Sequence, residues 1–339
     1  MNRIVLAILT CVVLAACDPL PSAEFSKNMS AQPILHLNKS STENPRIRPV
    51  ASHQKCPNEV SWADIGNRLD DDNEVAQIDK LLSEIDPSHS GQILRIAPDE
   101  LMWWIAFMNN DVNFFSIGVA VHETNHSINR ILTNCSNLGG ASYFFANNIY
   151  YTSIRPSSTP SYGNATKVIS KDIILSLDPM RFKFYLMGIG NTPQAGFDVL
   201  LDELVAYTGA AAFEEKMLAD PNLNNLIVKD DYSYDVNIGG MVEFILFFEA
   251  YLKFIRINDE VLYNRILSDR QLRTLLAKIV VSAESTLVKV SFYAGTSKKS
   301  GFLRISRAAL AAVYSPEYSS EFARFEITLN PKVLDKYLN

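Results

Sequence analysis

The chain reads as a mainly α-helical protein with little β-sheet. Long apolar runs carry the helical spacing, above all 197–217 and 240–257. Short clusters of Pro, Asn, Asp and Gly punctuate these runs. No internal repeat, low-complexity tract or shift in composition marks a boundary, so residues 61–339 read as one domain. With 47% hydrophobic and 20% charged residues the composition is that of a folded globular chain.

Residues 1–16 stand apart from the fold. Asn2-Arg3 gives a short positive start, and Ile4 to Ala16 is an apolar stretch of 13 residues. That is too short for a stable membrane-spanning helix and right for a secretory signal. The stretch ends in Leu14-Ala15-Ala16-Cys17, which resembles the bacterial lipobox. The resemblance implies cleavage before Cys17 and lipidation of that cysteine. The protein is then expected in the bacterial cell envelope, lipid-anchored to a membrane and facing the periplasm or the exterior. A plain cleaved signal is the alternative. Asp18 resembles the inner-membrane retention signal of enteric bacteria, a rule that does not transfer between bacterial groups, so the choice of membrane stays open.

Residues 17–60 carry scattered Pro, Ser and Asn and read as a tether followed by irregular structure. Cys11 leaves with the signal and Cys17 takes the lipid. Cys56 and Cys135 remain, and an oxidising compartment allows them to pair; two buried free thiols are the alternative.

Within the body, Val75, Ile78, Leu81, Leu82 and Ile85 predict a helix over 73–85, stopped by Asp86-Pro87. Pro98, Asp99 and Glu100 suit the first turn of a helix over 98–108, whose Trp103 and Trp104 read as core. A largely apolar helix is predicted from about Asn113 to Leu132. Residues 141–154 are aromatic-rich and fit either a strand pair or a short helix. Residues 155–164 read as a loop, and 167–177 and 180–188 as further helical segments. The strong helices 197–217 and 240–257 follow, then 260–282 with a break near Asp269. Residues 285–293 either extend that helix or form an edge strand, and 317–339 read as a mixed tail. Lys298, Lys299, Arg304 and Arg307 read as a solvated loop and strand rim. With a net charge of −6 the chain lacks the basic footprint of a nucleic-acid binder.

One pattern carries chemistry. His122-Glu123-Thr124-Asn125-His126 spells HExxH inside an otherwise apolar helix. Residues four apart share a helix face, so the two imidazoles can grip one zinc ion. Glu123, beside the first ligand, is placed to act as general base and acid on metal-bound water. Two histidines and a glutamate in an apolar helix are costly without partners, which favours a site over a chance match. A catalytic zinc usually takes three protein ligands. An HExxHxxGxxH extension is absent, because Asn129 and Leu132 occupy the required positions. A carboxylate is the natural third ligand, and Glu203 in the apolar helix 197–217 is the first choice. Asp202, Glu243 and, more weakly, Glu249 are rivals, and those that miss the metal can orient a histidine through its second nitrogen.

HExxH on one helix with a glutamate on a later one resembles the gluzincin arrangement. That resemblance implies a helical zincin-like metallopeptidase domain with little sheet, His122, His126 and Glu203 on Zn2+, and peptide or protein substrates. It is partial. In Asp202-Glu203-Leu204-Val205-Ala206-Tyr207, Asp202 stands where the thermolysin motif has Asn, and Tyr207 where it has Asp. Glu203 also follows His126 by 77 positions, long for thermolysin itself. The chain looks closer to poorly characterised bacterial lipoproteins with HExxH and a downstream Glu-Leu-x-Ala-Tyr helix. Tyr207, one turn after Glu203, is the first candidate for donating to an oxyanion. Weaker candidates for touching substrate are Tyr143, Tyr150, Tyr151, Tyr162, Arg155, Asn125 and Asn129. Two other readings are carried: an amidase acting on peptidoglycan peptides, and a non-catalytic metal-bearing lipoprotein that binds a partner.

Overall fold

The computed structural model describes residues 80–97, 100, 101, 104, 114–136, 139–154, 159–187, 195–219, 235–296 and 305–338. The expected signal and tether, Trp103, Arg155 and Lys298 to Arg304 lie outside the described residues. The architecture is helical, with one small sheet.

In chain order, helical residues 80–85 lead into α1 (Ser90–Ile96), and α2 (Phe114–Ser136) follows. Next come strands β1 (Ala141–Phe145) and β2 (Asn148–Thr152), a 3-10 turn at Tyr162–Lys167, and α3 (Lys171–Ser176). A short helix α4 (Pro179–Arg181) runs on into a π-helical turn, Phe182–Leu186. Then come α5 (Phe197–Ala219), α6 (Asp235–Asn258), α7 (Glu260–Ser268), α8 (Arg270–Thr296), α9 (Arg307–Val313), α10 (Pro316–Arg324) and α11 (Lys332–Leu338).

The centre of the molecule is α5. It packs against α6, α2 and α8. Apolar residues fall on every side of it, the signature of a helix enclosed by others rather than lying on a surface. Leu200, Leu201, Leu204, Val205, Ala210 and Phe213 have no exposed surface. The same holds along α6 at Phe244, Leu246, Phe247, Phe248, Tyr251 and Leu252. No described helix is long and apolar enough to cross a membrane.

The aromatic segment 141–154 resolves as an antiparallel hairpin, with Ala141 opposite Thr152 and Phe145 opposite Asn148. All five β1 residues are buried, so the inside–outside alternation that identifies a strand is missing there. The two-residue turn places Ala146 and Asn147 at φ 48° and 63°, the left-handed pair that a tight hairpin turn needs. β1 packs on α2, and β2 on α8.

The break near Asp269 has a local cause. Asp269 ends α7, and its Oδ1 accepts from the backbone N–H groups of Gln271 and Leu272 at the start of α8. Its Oδ2 accepts from Thr152 Oγ1, which fixes the end of the hairpin. Beyond the break α8 is continuous to Thr296, so 285–293 extend a helix and form no edge strand. Arg307 opens α9 rather than rimming a strand, with Ser306 accepting from Ala309 N as its cap. The expected C-terminal tail contains α10, which begins at Pro316, and α11. Residue 167 belongs to the 3-10 turn; α3 starts only at Lys171, capped by Ser170. Trp104 is buried, as expected of a core residue.

Candidate metal centre

The packing of α2 against α5 builds the site. His122 and His126 lie one turn apart on the α2 face that meets α5, and α5 brings Glu203 to both. His122 Nε2 and His126 Nε2 stand 3.6 and 3.5 Å from Glu203 Oε2, and 3.0 Å from each other. Ligands about 2.1 Å from a tetrahedral zinc lie roughly 3.4 Å apart. Both histidine–carboxylate separations fit that spacing, and the two histidines stand slightly closer. The donor set, two imidazole nitrogens and one carboxylate oxygen, suits zinc or a similar divalent cation. The three residues are at most 4% exposed.

The electrostatics explain the close histidines. Burial alone pushes His126 down, but Asp202 and Glu203 outweigh it and hold its pKa well above the ordinary value. His122 is lowered, chiefly by burial and further by the charge of His126, although Glu203 opposes this. Burial pushes Glu203 up, yet the two imidazoles hold it far below the usual carboxylate range. Without metal the cluster therefore carries one imidazolium, His126, which can donate from Nε2 to His122 at 3.0 Å.

Asp202, the nearest rival ligand, does not join the cluster. Its Oδ2 accepts from His126 Nδ1 at 2.8 Å, and its Oδ1 accepts from Asn129 Nδ2 at 2.6 Å. This fixes the ring of His126 and presents Nε2 to the site, the orienting role open to a rival carboxylate. Asn129 Nδ2 also reaches Asn125 Oδ1, while Asn129 Oδ1 accepts from Phe144 N in β1. Asn125 Nδ2 donates to Phe144 O and lies 3.3 Å from His89 Nε2. Asn125 and Asn129, weak candidates for touching substrate, instead tie α2 to the hairpin, to Asp202 and to His89.

Searches for similar proteins leave the site to be read from its own geometry: no family model, no curated protein and no solved structure matches the chain. The gluzincin resemblance thus rests on HExxH, Glu203 and their helices.

Glu123 is fully buried on α2, close enough to Tyr207 to help raise the pKa of that phenol, an effect led by burial and then by Glu203. Tyr207 sits edge-on to the His122 ring, with centroids 4.3 Å apart, and stacks on Phe244 at 4.8 Å. A side chain at Gly240 would put a Cβ 2.3 Å from the Tyr207 ring, so α6 can pass this close only with glycine there. Tyr207 therefore braces His122.

The remaining rivals are placed elsewhere. Glu243 pairs with Arg181 Nε at 2.7 Å and accepts from Asp178 N at 2.8 Å. Glu249 is buried, and neither carboxyl oxygen has a hydrogen-bond partner among the described residues. Tyr143 donates to Asp198 O, Tyr150 and Tyr162 are buried, and the Tyr151 hydroxyl lies near Gly140. Cys135 is disulfide-bonded, while Cys56, its expected partner, lies outside the described residues. Sequence reasoning gave no role to His89, a buried histidine with no neighbour at metal-ligand spacing in the chain.

Proposed function

We propose that this protein is a zinc-dependent hydrolase that cleaves peptide bonds in the bacterial cell envelope. The observation that carries the reading is the buried His122–His126–Glu203 cluster at metal-ligand spacing, with Glu123 buried beside it. A divalent cation held there supplies Lewis-acid polarisation of a carbonyl and acidifies water. Glu123 takes a proton from the attacking water and returns it to the leaving nitrogen. Asp202 keeps His126 in the tautomer that offers Nε2, and Tyr207 holds the His122 ring. The Tyr207 hydroxyl is the first candidate for donating to the oxyanion. The lipobox-like Leu14-Ala15-Ala16-Cys17 supports a lipid anchor through Cys17 and action outside the cytoplasm. Peptidoglycan peptides are a substrate class that suits such a location.

A second reading has an observation in its favour. All three ligands are nearly inaccessible, as in metal sites that hold structure together. One experiment separates the two. Zinc content and peptide hydrolysis are measured for the wild type, His122→Ala and Glu123→Gln. The hydrolase reading expects about one zinc per chain, lost in His122→Ala and kept in Glu123→Gln, with turnover lost in both. Full zinc with no turnover on any peptide leaves the non-catalytic reading, and full zinc in His122→Ala removes both.

A further inference from the structure

A cavity among the described residues lies away from the candidate metal centre. It has a volume of about 580 Å3, within the range of small-molecule sites, and none of His122, Glu123, His126 and Glu203 lines it. Its walls are α8, the second half of α5, the hairpin tip at Ala146 and the turn at 86–89.

The back wall is built to close tolerances. His89 is 4% exposed and lies against Gly209, where a Cβ would fall 2.1 Å from its Nε2. Its ring stacks on Phe144 at 5.5 Å, and Ala146 N approaches its Nδ1 at 3.4 Å.

The polar groups along the cavity are unequally satisfied. Asp86 is filled as an acceptor: Ser88 Oγ and Lys216 Nζ reach Oδ1, and Ser90 N and Ser90 Oγ reach Oδ2. Glu215 is engaged by Lys289 Nζ at 3.1 Å. The donors are not used up. An ammonium has three N–H groups, so Lys216 and Lys289 keep capacity beyond these bonds. Lys278 has no carboxylate partner among the described residues, so the three lysines exceed the two acids by one positive charge. The hydroxyls of Ser282, Ser285 and Thr286 make no hydrogen bond among the described residues, and Thr286 is only 2% exposed. The unfilled capacity of the lysines is purely donating, and the hydroxyls can donate as well as accept, so an anionic acceptor fits the set. Ala212, Ala277, Val281 and Phe145 give the rest of the wall an apolar character suited to a short hydrocarbon body.

We propose that this cavity is a binding site for a small organic acid, with its carboxylate among Lys278, Lys216 and the α8 hydroxyls and its apolar part against Ala277 and Phe145. The site is separate from the metal centre and does not depend on the hydrolase reading.

The test uses the full chain in detergent and calorimetric titration with N-acetylleucine and its amide, a pair that differs in the carboxylate. Each titration is repeated after chelation of metal. The expected result is binding of the acid at least about tenfold tighter than the amide, unchanged by chelation. Lys278→Gln, an exposed change, should reduce that preference several-fold. Ser282→Trp, which fills the cavity, should abolish binding. Equal binding of acid and amide, no binding of either, or a preference untouched by Lys278→Gln overturns the proposal. So does acid binding that vanishes on chelation, since the acid would then be a metal ligand.

Discussion

Asp202→Asn is the substitution that probes the candidate metal centre most sharply, because it changes charge and hydrogen-bonding capacity while keeping shape. In the native site Asp202 accepts from His126 Nδ1 at 2.8 Å and from Asn129 Nδ2 at 2.6 Å. An asparagine has one acceptor oxygen in place of two. If it serves His126, its amide faces the Asn129 amide donor to donor; if it serves Asn129, His126 loses the partner that sets its tautomer. Loss of such an orienting group typically weakens metal affinity about 10–100-fold, or roughly 1.4–2.7 kcal/mol. The size of the effect depends on pH, with a determinate sign. Asp202 also raises the pKa of His126, and a protonated histidine must lose its proton to bind metal. The substitution relieves part of that competition at neutral pH and none at high pH, where the proton has already left. The affinity loss should therefore be larger in alkaline buffer than at neutrality. Competition with a chromophoric chelator at two pH values measures both effects. Affinity within about twofold of wild type at alkaline pH would falsify the orienting role of Asp202.

Zinc uptake at neutral pH should release about one proton, from His126, because that imidazole is held protonated by Asp202 and Glu203. Calorimetry in buffers of different ionisation enthalpy reads the number, and a value near zero refutes the charge state argued for the metal-free cluster. His89 is depressed to about 4, mainly by burial, with Asp86 opposing and Lys216 assisting. Its unfolded form takes up a proton first, so stability is present above pH 6.5 and is lost as pH falls toward 4. The fall from 6.5 to about 4 corresponds to roughly 3 kcal/mol. Denaturant unfolding of wild type and His89→Gln at pH 7 and pH 4.5 should show a smaller acid loss in the variant; equal losses would contradict it. Glu249 is kept neutral by burial, and its carboxyl has no hydrogen-bond partner among the described residues. Glu249→Leu should therefore raise stability by about 1–3 kcal/mol in urea unfolding, and destabilisation would refute the reading of Glu249 as an unsatisfied buried acid.

The parts of the fold legible in the sequence are those set by local period and by caps. Helices α5 and α6 follow from apolar residues alone, and the break at Asp269 follows from one side chain that ends one helix and begins the next. The HExxH pair is legible because four residues along a helix fix a face whatever lies opposite. The hairpin was ambiguous because β1 is buried on both sides, which erases alternation. Asp202 and Glu203 share one apolar helix, so only the partial motif ranks them: adjacent helical residues point about 100° apart, and the sequence does not say which direction faces α2. Asn125 and Asn129 were unreadable for another reason. Their partners, Phe144, His89 and Asp202, come from three other stretches of chain, and nothing local announces them.

Among the buried carboxylates, counter-charge favours Glu203 for the candidate site independently of the motif. Burying an ionised carboxylate is unfavourable unless a cation or several donors accompany it. Along this core most buried acids find theirs in the chain: Glu243 has Arg181, Asp86 has Lys216, Glu215 has Lys289 and Glu321 has Arg256. Glu249 escapes the requirement by staying protonated. Glu203 does neither. It is fully buried and remains ionised, facing imidazoles that supply positive charge only while His126 holds its proton. Its counter-charge is therefore removable. With that proton, His126 and the carboxylates Asp202 and Glu203 sum to one negative charge; with the proton replaced by a divalent cation they sum to zero. A divalent ion thus satisfies the buried charge more fully than the proton does. This distinguishes Glu203 from the acids that the sequence alone could offer in its place.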